Sequence, residues 1–159
     1  MADSLLTTFR FEVAFTKVSG EGPQRLGDGG FQEVNGLEVE MEVSDYEEGG
    51  RNDAVVRRVG RAKFQPLVCK RGMFASSSGN AESELWQWFV DVVSGVRPVR
   101  RYDGTVSVRS QDGSTRASWQ FRRAVPAKIV GPQLNAKSGE IAVEELHLAH
   151  EGLTLEGTT

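Results

Sequence analysis

Hydrophobic and polar residues alternate with a period of two along much of this chain. Val39, Met41 and Val43 interleave with Glu38, Glu40 and Glu42. That spacing predicts a strand with one apolar face and one acidic face. It runs into Gly49-Gly50, a pair able to take the positive φ of a tight turn. The chain returns through Ala54-Val55-Val56-Arg57-Arg58-Val59, which is basic. The prediction is a long protruding hairpin over about 34–65. With Gly49 and Gly50 as the two loop residues, Glu48 faces Arg51, Glu42 faces Arg57 and Glu38 faces Arg61. Each such opposite-charge pair is worth about 0.2–1 kcal/mol. Asn52-Asp53 also allow a longer loop. A display of charge on a hairpin suits assembly better than catalysis.

The same alternation places a first strand over Phe9, Phe11, Val13 and Phe15. Ser19 to Gly30 is a glycine-rich loop. The second arm of the hairpin is expected to extend through Phe64 to Lys70, with Pro66 marking a bulge or an edge. After a Gly- and Ser-rich connection, the period changes to that of a helix over about 81–94. Asn80 can cap it, Glu82 and Glu84 sit in its first turn, and Gly95 ends it. Leu85, Trp86, Phe89, Val90 and Val93 form its expected apolar face. Trp86 and Trp88 are two residues apart and cannot share a face, so one packs on the sheet and the other is free to reach a neighbour. Val99–Ser110 and Arg116–Val125 read as a second hairpin turned at Gln111-Asp112-Gly113-Ser114, with Pro126 ending the pairing. From Glu140 to Leu155, Ile141 and Val143 alternate in one phase and Leu146 and Leu148 in the other. A bulge near Glu144-Glu145 reconciles them; a helix is the alternative. The fold class is mainly β: a small β-barrel or two-sheet sandwich with one flanking helix.

A chain of 159 residues is expected to form one domain, 1–159. Its hydrophobic content of 38% and charged content of 26% are those of an ordinary soluble protein. No apolar run approaches the roughly 18 residues of a membrane span, and membrane insertion is not expected. The N-terminus lacks the basic region and long apolar core of a signal peptide. A single cysteine, Cys69, provides no internal disulfide and fits a reducing cytoplasm.

The net charge of −3 conceals a segregation. Residues 1–50 hold 11 acidic and 3 basic side chains, residues 51–130 hold 6 and 15, and residues 131–159 hold 5 and 1. Such blocks either neutralise one another inside the fold or form complementary patches for head-to-tail association.

Candidate chemistry is sparse. There is no Gly-x-Ser-x-Gly elbow, phosphate loop or Cys-x-x-Cys pair, so no catalytic residue and no enzyme activity is expected. His147 and His150, with Glu144 or Glu151 nearby, lie three apart and would point to opposite faces of a strand. They lack a full ligand set, so neither a metal nor a cofactor is expected. Arg97, Arg100, Arg101, Arg109, Arg116, Arg122 and Arg123 gather in one hairpin with Tyr102 and Trp119. They admit a small nucleic-acid-binding β-domain as the alternative from a different class. The preferred reading is a partner for the acidic N-terminal block.

Several segments stand in a telling order. They are Phe9-Arg10-Phe11-Glu12-Val13, Phe31-Gln32-Glu33-Val34-Asn35-Gly36-Leu37, Asp45-Tyr46-Glu47-Glu48-Gly49-Gly50 and Lys70-Arg71-Gly72. Leu85-Trp86-Gln87-Trp88, Trp119 through Pro126, Glu140 through Leu146 and His150-Glu151-Gly152-Leu153 follow. In this the sequence resembles the tail tube proteins of contractile-tailed phages and of phage-tail-like contractile injection systems, over about Phe9 to Leu155. The resemblance implies hexameric rings stacked into a hollow tube with a central channel for cargo protein or DNA. It implies sheath, baseplate, spike and tail-terminator proteins as partners. It also implies assembly in the bacterial cytoplasm and a place in a virion tail or an injection particle that can be released. Tyr46, Glu47, Glu48, Gly49, Gly50, Arg51 and Asn52 are the expected inter-subunit contact. Glu38, Glu40, Glu42, Arg57 and Arg61 are candidates to face the lumen. Leu85, Trp86, Phe89 and Val90 are the expected helix-packing residues. A baseplate-proximal tube paralogue joining tube to spike is the nearest alternative, and a type VI secretion tube component a more distant one.

Overall fold

The computed structural model describes residues 5–8, 10–26, 30–50, 52–73 and 83–157. Strands account for 54% of it. In chain order they are β1 (Phe11–Ser19), β2 (Phe31–Asn35), β3 (Val39–Tyr46), β4 (Val56–Phe64), β5 (Leu67–Gly72), β6 (Arg101–Arg109), β7 (Thr115–Val130), β8 (Val143–Ala149) and β9 (Gly152–Gly157), with one helix, α1 (Glu84–Val93).

Two layers share β7. Its first half lies between β6 and β9, and β6 in turn pairs with β1. Its second half pairs with β8, followed by β5 and β2. All these pairings are antiparallel. The strand turns the corner where Arg123 takes a φ of 52° and the register skips between Pro126 and Lys128. The Arg123 N–H, turned out of the ladder, donates to Asp103 Oδ1 at 2.9 Å. The β6–β7 pairing thus ends before Pro126, as the sequence suggested, while the strand itself runs on through Pro126 to Val130. Pro126 falls where β7 exchanges one set of partners for another, and a missing N–H costs little at such a switch. The path β1-β6-β7-β8-β5-β2 does not close on itself, so the body is a two-layer sandwich and not a closed barrel.

Alternation does what it predicts in β1 and β6. Val13 and Phe15 point inward and are fully buried, as are Tyr102 and, nearly so, Val106 and Val108. Phe121 from β7, Leu67 and Cys69 from β5, and Leu146 and Leu148 from β8 complete the core. Phe15 meets Phe31, Tyr102 and Phe121 edge to face, with centroids 5.9–6.4 Å apart. Gly104 is required here. A Cβ on it would lie 2.0 Å from Phe121 Cζ.

The helix starts at Glu84, inside the expected 81–94, and the proposed cap Asn80 lies outside the described residues. Gly95 follows with φ 89°, and the Val96 N–H closes the end on the Asp91 carbonyl at 3.1 Å. The packed face differs from the expected one. Leu85 and Trp88 are the buried residues. Val90 is 50% exposed and Val93 is more so, while Trp86 and Phe89 are half-buried. Trp88 stacks edge-on to Tyr102 and donates its indole N–H to the Arg100 carbonyl at 2.9 Å. That bond lets a tryptophan be fully buried, and it rotates the helix toward position 88.

The region from Glu140 to Leu155 is two strands, not a helix, and has no bulge at Glu144-Glu145. β8 pairs with β5 in unbroken register from Leu67↔Leu148 to Gly72↔Val143. Glu144 occupies an inward position and is buried with Leu146 and Leu148. The apparent change of phase comes from Glu144 taking an inward position while Val143 and the exposed Ile141 do not, and β8 ends at the corner His150-Glu151.

Candidate assembly surface

β3 and β4 form a separate two-stranded sheet that leaves the body. They continue the β2–β5 ladder in the same register. Asn35 faces Val68 and Val39 faces Phe64, so Gly36–Glu38 and Gln65–Leu67 are matched three-residue gaps. At its root, Gly36 has φ 91°, and a Cβ there would stand 2.1 Å from the Pro66 carbonyl oxygen. Only glycine allows that approach. Eight residues of β3 extend the arm by about 26 Å.

The sequence pointed to this hairpin but not its register. The last pair is Tyr46↔Val56, so the loop runs over the nine residues 47–55 instead of the two glycines. Asp45 faces Arg57 and Glu40 faces Lys63; Glu42 faces neither Arg57 nor Arg61 in a regular pair. The register slips between Met41 and Val43, where Gly60 and Arg61 together oppose Glu42. The charge logic survives in the new partners. Glu42 holds Lys63 at 2.6 Å and Asp45 holds Arg57 at 3.6 Å. The Glu42 carboxylate, by hydrogen bonding first and charge second, raises the Lys63 ammonium above its ordinary pKa.

Cross-strand register assigns the two faces. One carries Val39, Met41, Val43, Val59, Ala62 and Phe64, with Asp45 and Arg57 further out. The other carries Glu40, Glu42, Lys63, Ser44, Arg58 and Tyr46, and the Arg58 guanidinium sits 4.3 Å over the Tyr46 ring. Glu40 and Glu42, candidates for the lumen, thus share a face from which Arg57 is absent. Glu38 precedes β3 and Arg61 sits in the bulge. Every residue of β3 is exposed, and Val59 is 76% exposed. Tyr46, Glu47, Glu48, Gly49, Gly50 and Asn52 all lie exposed at the tip; Arg51 is outside the described residues. An isolated two-stranded ribbon is marginal in water. The arm leaves an apolar face open to solvent.

Elsewhere the charge blocks meet inside the fold. N-terminal acids pair with central bases at Glu12–Arg109, Glu33–Lys70, Glu42–Lys63 and Asp45–Arg57. C-terminal acids do the same at Glu144–Arg71, Glu145–Lys70 and Glu151–Arg101 and –Arg123. Arg116 faces Asp112, and Arg100 is buried beside Asp91. Most arginines that admitted a nucleic-acid reading are therefore engaged by carboxylates of this chain.

One polar site escaped the sequence reading. Arg71 and Glu144 form a buried ion pair between β5 and β8, and the Trp86 indole N–H donates to the second oxygen of Glu144 at 3.1 Å. The Arg71 guanidinium also lies 5.7 Å from the centre of the Phe31 ring. The partners are 73 residues apart, so no local pattern reveals them. The signal was the phase break itself: a charged residue on the inward side of an otherwise apolar alternation needs a partner.

His147 contacts Glu145 on the outer side of β8. His150 sits between the Phe64 and Phe121 rings. Among the described residues no three His, Cys, Asp or Glu side chains are grouped to hold a metal ion. Burial pushes the Cys69 thiol up to about 12, which removes it as a nucleophile at neutral pH. Among the described residues no helix is long and apolar enough to cross a membrane.

A family model described as "T4-like virus tail tube protein gp19" matches residues 7–154. The chain belongs to the gp19 tail tube family. Solved structures agree on the fold of this gp19-family chain. A chain of the anti-feeding prophage (AFP) baseplate superposes with a TM-score of 0.80 at 22% identity, covering 99% of this chain and 98% of that one. A chain of the PVC sheath-tube complex, an extracellular contractile injection system in its extended state, gives 0.79 at 21%, covering 97% and 93%. A chain of the PVC sheath/tube terminator gives 0.78 at 21%, covering 99% and 100%. No curated protein matches the sequence.

Proposed function

We propose that this gp19-family chain is a structural subunit of the inner tube of a contractile injection machine, forming hexameric rings that stack around a central channel. The whole chain, 1–159, acts as one tail-tube domain. The observation that carries the reading is the arm: a ribbon with an uncovered apolar face and a charged tip, projecting from a body that needs neither for its own core. The layer β1-β6-β7-β9 supports it, since β1 and β9 are its two outer strands and ring closure would join such edges between neighbours. Self-association through the arm is then the main interaction. Sheath, baseplate, spike and terminator proteins meet the finished tube, and cargo protein or DNA passes through it. Assembly takes place in a bacterial cytoplasm, and the tube serves in a phage tail or a released injection particle. No catalysis is involved.

The test is electron microscopy of the purified protein at rising concentration, with mass followed by light scattering. Six-fold rings or hollow tubes are expected. Glu47→Lys with Glu48→Lys should abolish stacking or closure while far-UV circular dichroism and the melting transition stay unchanged. Unaltered tubes from that double variant would remove the tip from the interface. A wild-type chain that stays monomeric even when seeded with a preformed baseplate would overturn the tube reading itself.

A further inference from the structure

His150 sits at the root of the arm. Its ring lies 5.5 Å from the Phe64 ring at the end of β4 and 6.2 Å from the Phe121 ring of β7. Its Nε2 lies 3.1 Å from the Gln65 carbonyl oxygen and its Nδ1 3.0 Å from the Gly152 carbonyl oxygen. Carbonyl oxygens only accept hydrogen bonds. A neutral imidazole has one N–H and one bare nitrogen, so it can serve one of these oxygens and must turn a lone pair toward the other. Only the imidazolium donates to both.

Gln65 is not an arbitrary acceptor. It lies in the gap between β4 and β5, opposite Gly36–Glu38, where the arm leaves the body. Gly152 starts β9 and belongs to the body. We propose that protonated His150 is a latch that bridges arm and body, fixing the angle at which the arm projects, and that loss of its proton releases the arm to swing about Gly36 and Pro66. This rests on the arm being the assembly element, since a fixed arm is what a neighbouring copy could meet in register.

The surroundings set the sign. Glu151 is adjacent and is shared by Arg101 and Arg123. The Arg122 guanidinium packs on Gly152 from β7. From β4 and the core side of β7, Phe64 and Phe121 bring aromatic rings and no charge. His147, on β8, contacts Glu145 and does not touch the root. Protonation adds one donor to the bridge, so the latch holds on the acid side and loosens as pH rises.

Spin labels at Val59→Cys on the arm and Gln111→Cys on the body would report the angle, in the unassembled Glu47→Lys/Glu48→Lys chain. The distance distribution should be narrower in acidic than in alkaline buffer, since only the imidazolium donates to both carbonyls. His150→Phe keeps a ring between Phe64 and Phe121 but donates nothing, and should be broad in both. His147→Gln should behave as the parent. A parent distribution that does not change with pH overturns the latch, whether or not His150→Phe folds. So does a pH response that survives in His150→Phe or vanishes in His147→Gln. The labels are read without tubes, and tube formation is scored separately by microscopy of the unlabelled chain, so failure of one reading is distinguishable from failure of the other.

Discussion

Removing one partner of the Arg71–Glu144 pair should be among the most damaging single changes in the body. Both side chains are almost fully buried, at 3% and 2% exposure. Glu144→Ala leaves a guanidinium inside the protein with no counter-charge and strips the Trp86 indole of its acceptor. Breaking a buried pair costs about 3–5 kcal/mol. Total stabilities are about 5–15 kcal/mol, so that is a large share. At about 2–4 °C per kcal/mol for a chain of this size, the melting midpoint should fall by about 6–20 °C. The reasoning separates cost of isolation from value of the pair. Arg71→Met with Glu144→Leu removes both charges and fills similar volume, so it should recover most of the loss. Trp86→Phe, which loses the hydrogen bond and the part of the indole that packs beside Gly131, should cost more than the about 1 kcal/mol of the bond alone. Urea denaturation of the parent, Arg71→Met, Glu144→Leu and the double variant, run as a double-mutant cycle below the concentration of assembly with Glu144→Ala and Trp86→Phe alongside, measures all of this. If Glu144→Ala costs under about 1 kcal/mol, or if the double variant is no better than either single one, the pair is not isolated from water in the way argued.

Two further perturbations test the body. Gly104→Ala places a methyl 2.0 Å from Phe121 Cζ, and overpacking of that kind should cost about 1–3 kcal/mol by urea denaturation, with Gly139→Ala, where a methyl meets open space and the backbone is not left-handed, much less damaging. The Asp112 carboxyl is held below its ordinary pKa, first by the Ser114 hydroxyl and then by the Ser114 backbone N–H, with Arg116 adding charge. A carboxyl depressed by folding stabilises above its ordinary value and loses that contribution as pH falls through its lowered one. A carboxyl-detected titration should therefore show Asp112 protonating below the usual range near about 4, with the turn fraying only there.

How much of this was legible in the sequence depends on how local each constraint is. The inward sets Val13/Phe15 and Tyr102/Val106/Val108 follow from alternation alone, and the turn at Asp112-Gly113 from its composition. The long hairpin was legible as an element. Its register was not, because opposite charges along both strands satisfy more than one alignment, and only the bulge at Gly60 and the nine-residue loop select among them. The choice of Trp88 over Trp86 turned on a carbonyl at Arg100 that no periodicity displays. Glu144 looked like a reason for a bulge because its partner Arg71 lies on a distant strand. Among the proposed assembly residues, the sequence identified an exposed tip and misassigned the faces behind it, since one bulge inverts the side on which Arg57 falls.

The sharing of β7 by both layers limits where this chain can change in length. The strand reaches the shared core through Phe121 in one layer and pairs with β8 in the other, and its corner already absorbs one register skip. A one-residue insertion ahead of Arg123 would turn the inward side of one layer outward while leaving the other in place, and no loop lies between them to take up the error. The arm is the opposite case. Because its ladder continues that of β2 and β5, residues added in facing pairs lengthen it without disturbing anything below Gly36. Lineages of this fold are therefore expected to diverge in the reach of the arm and to hold the sixteen residues of β7 to a fixed count.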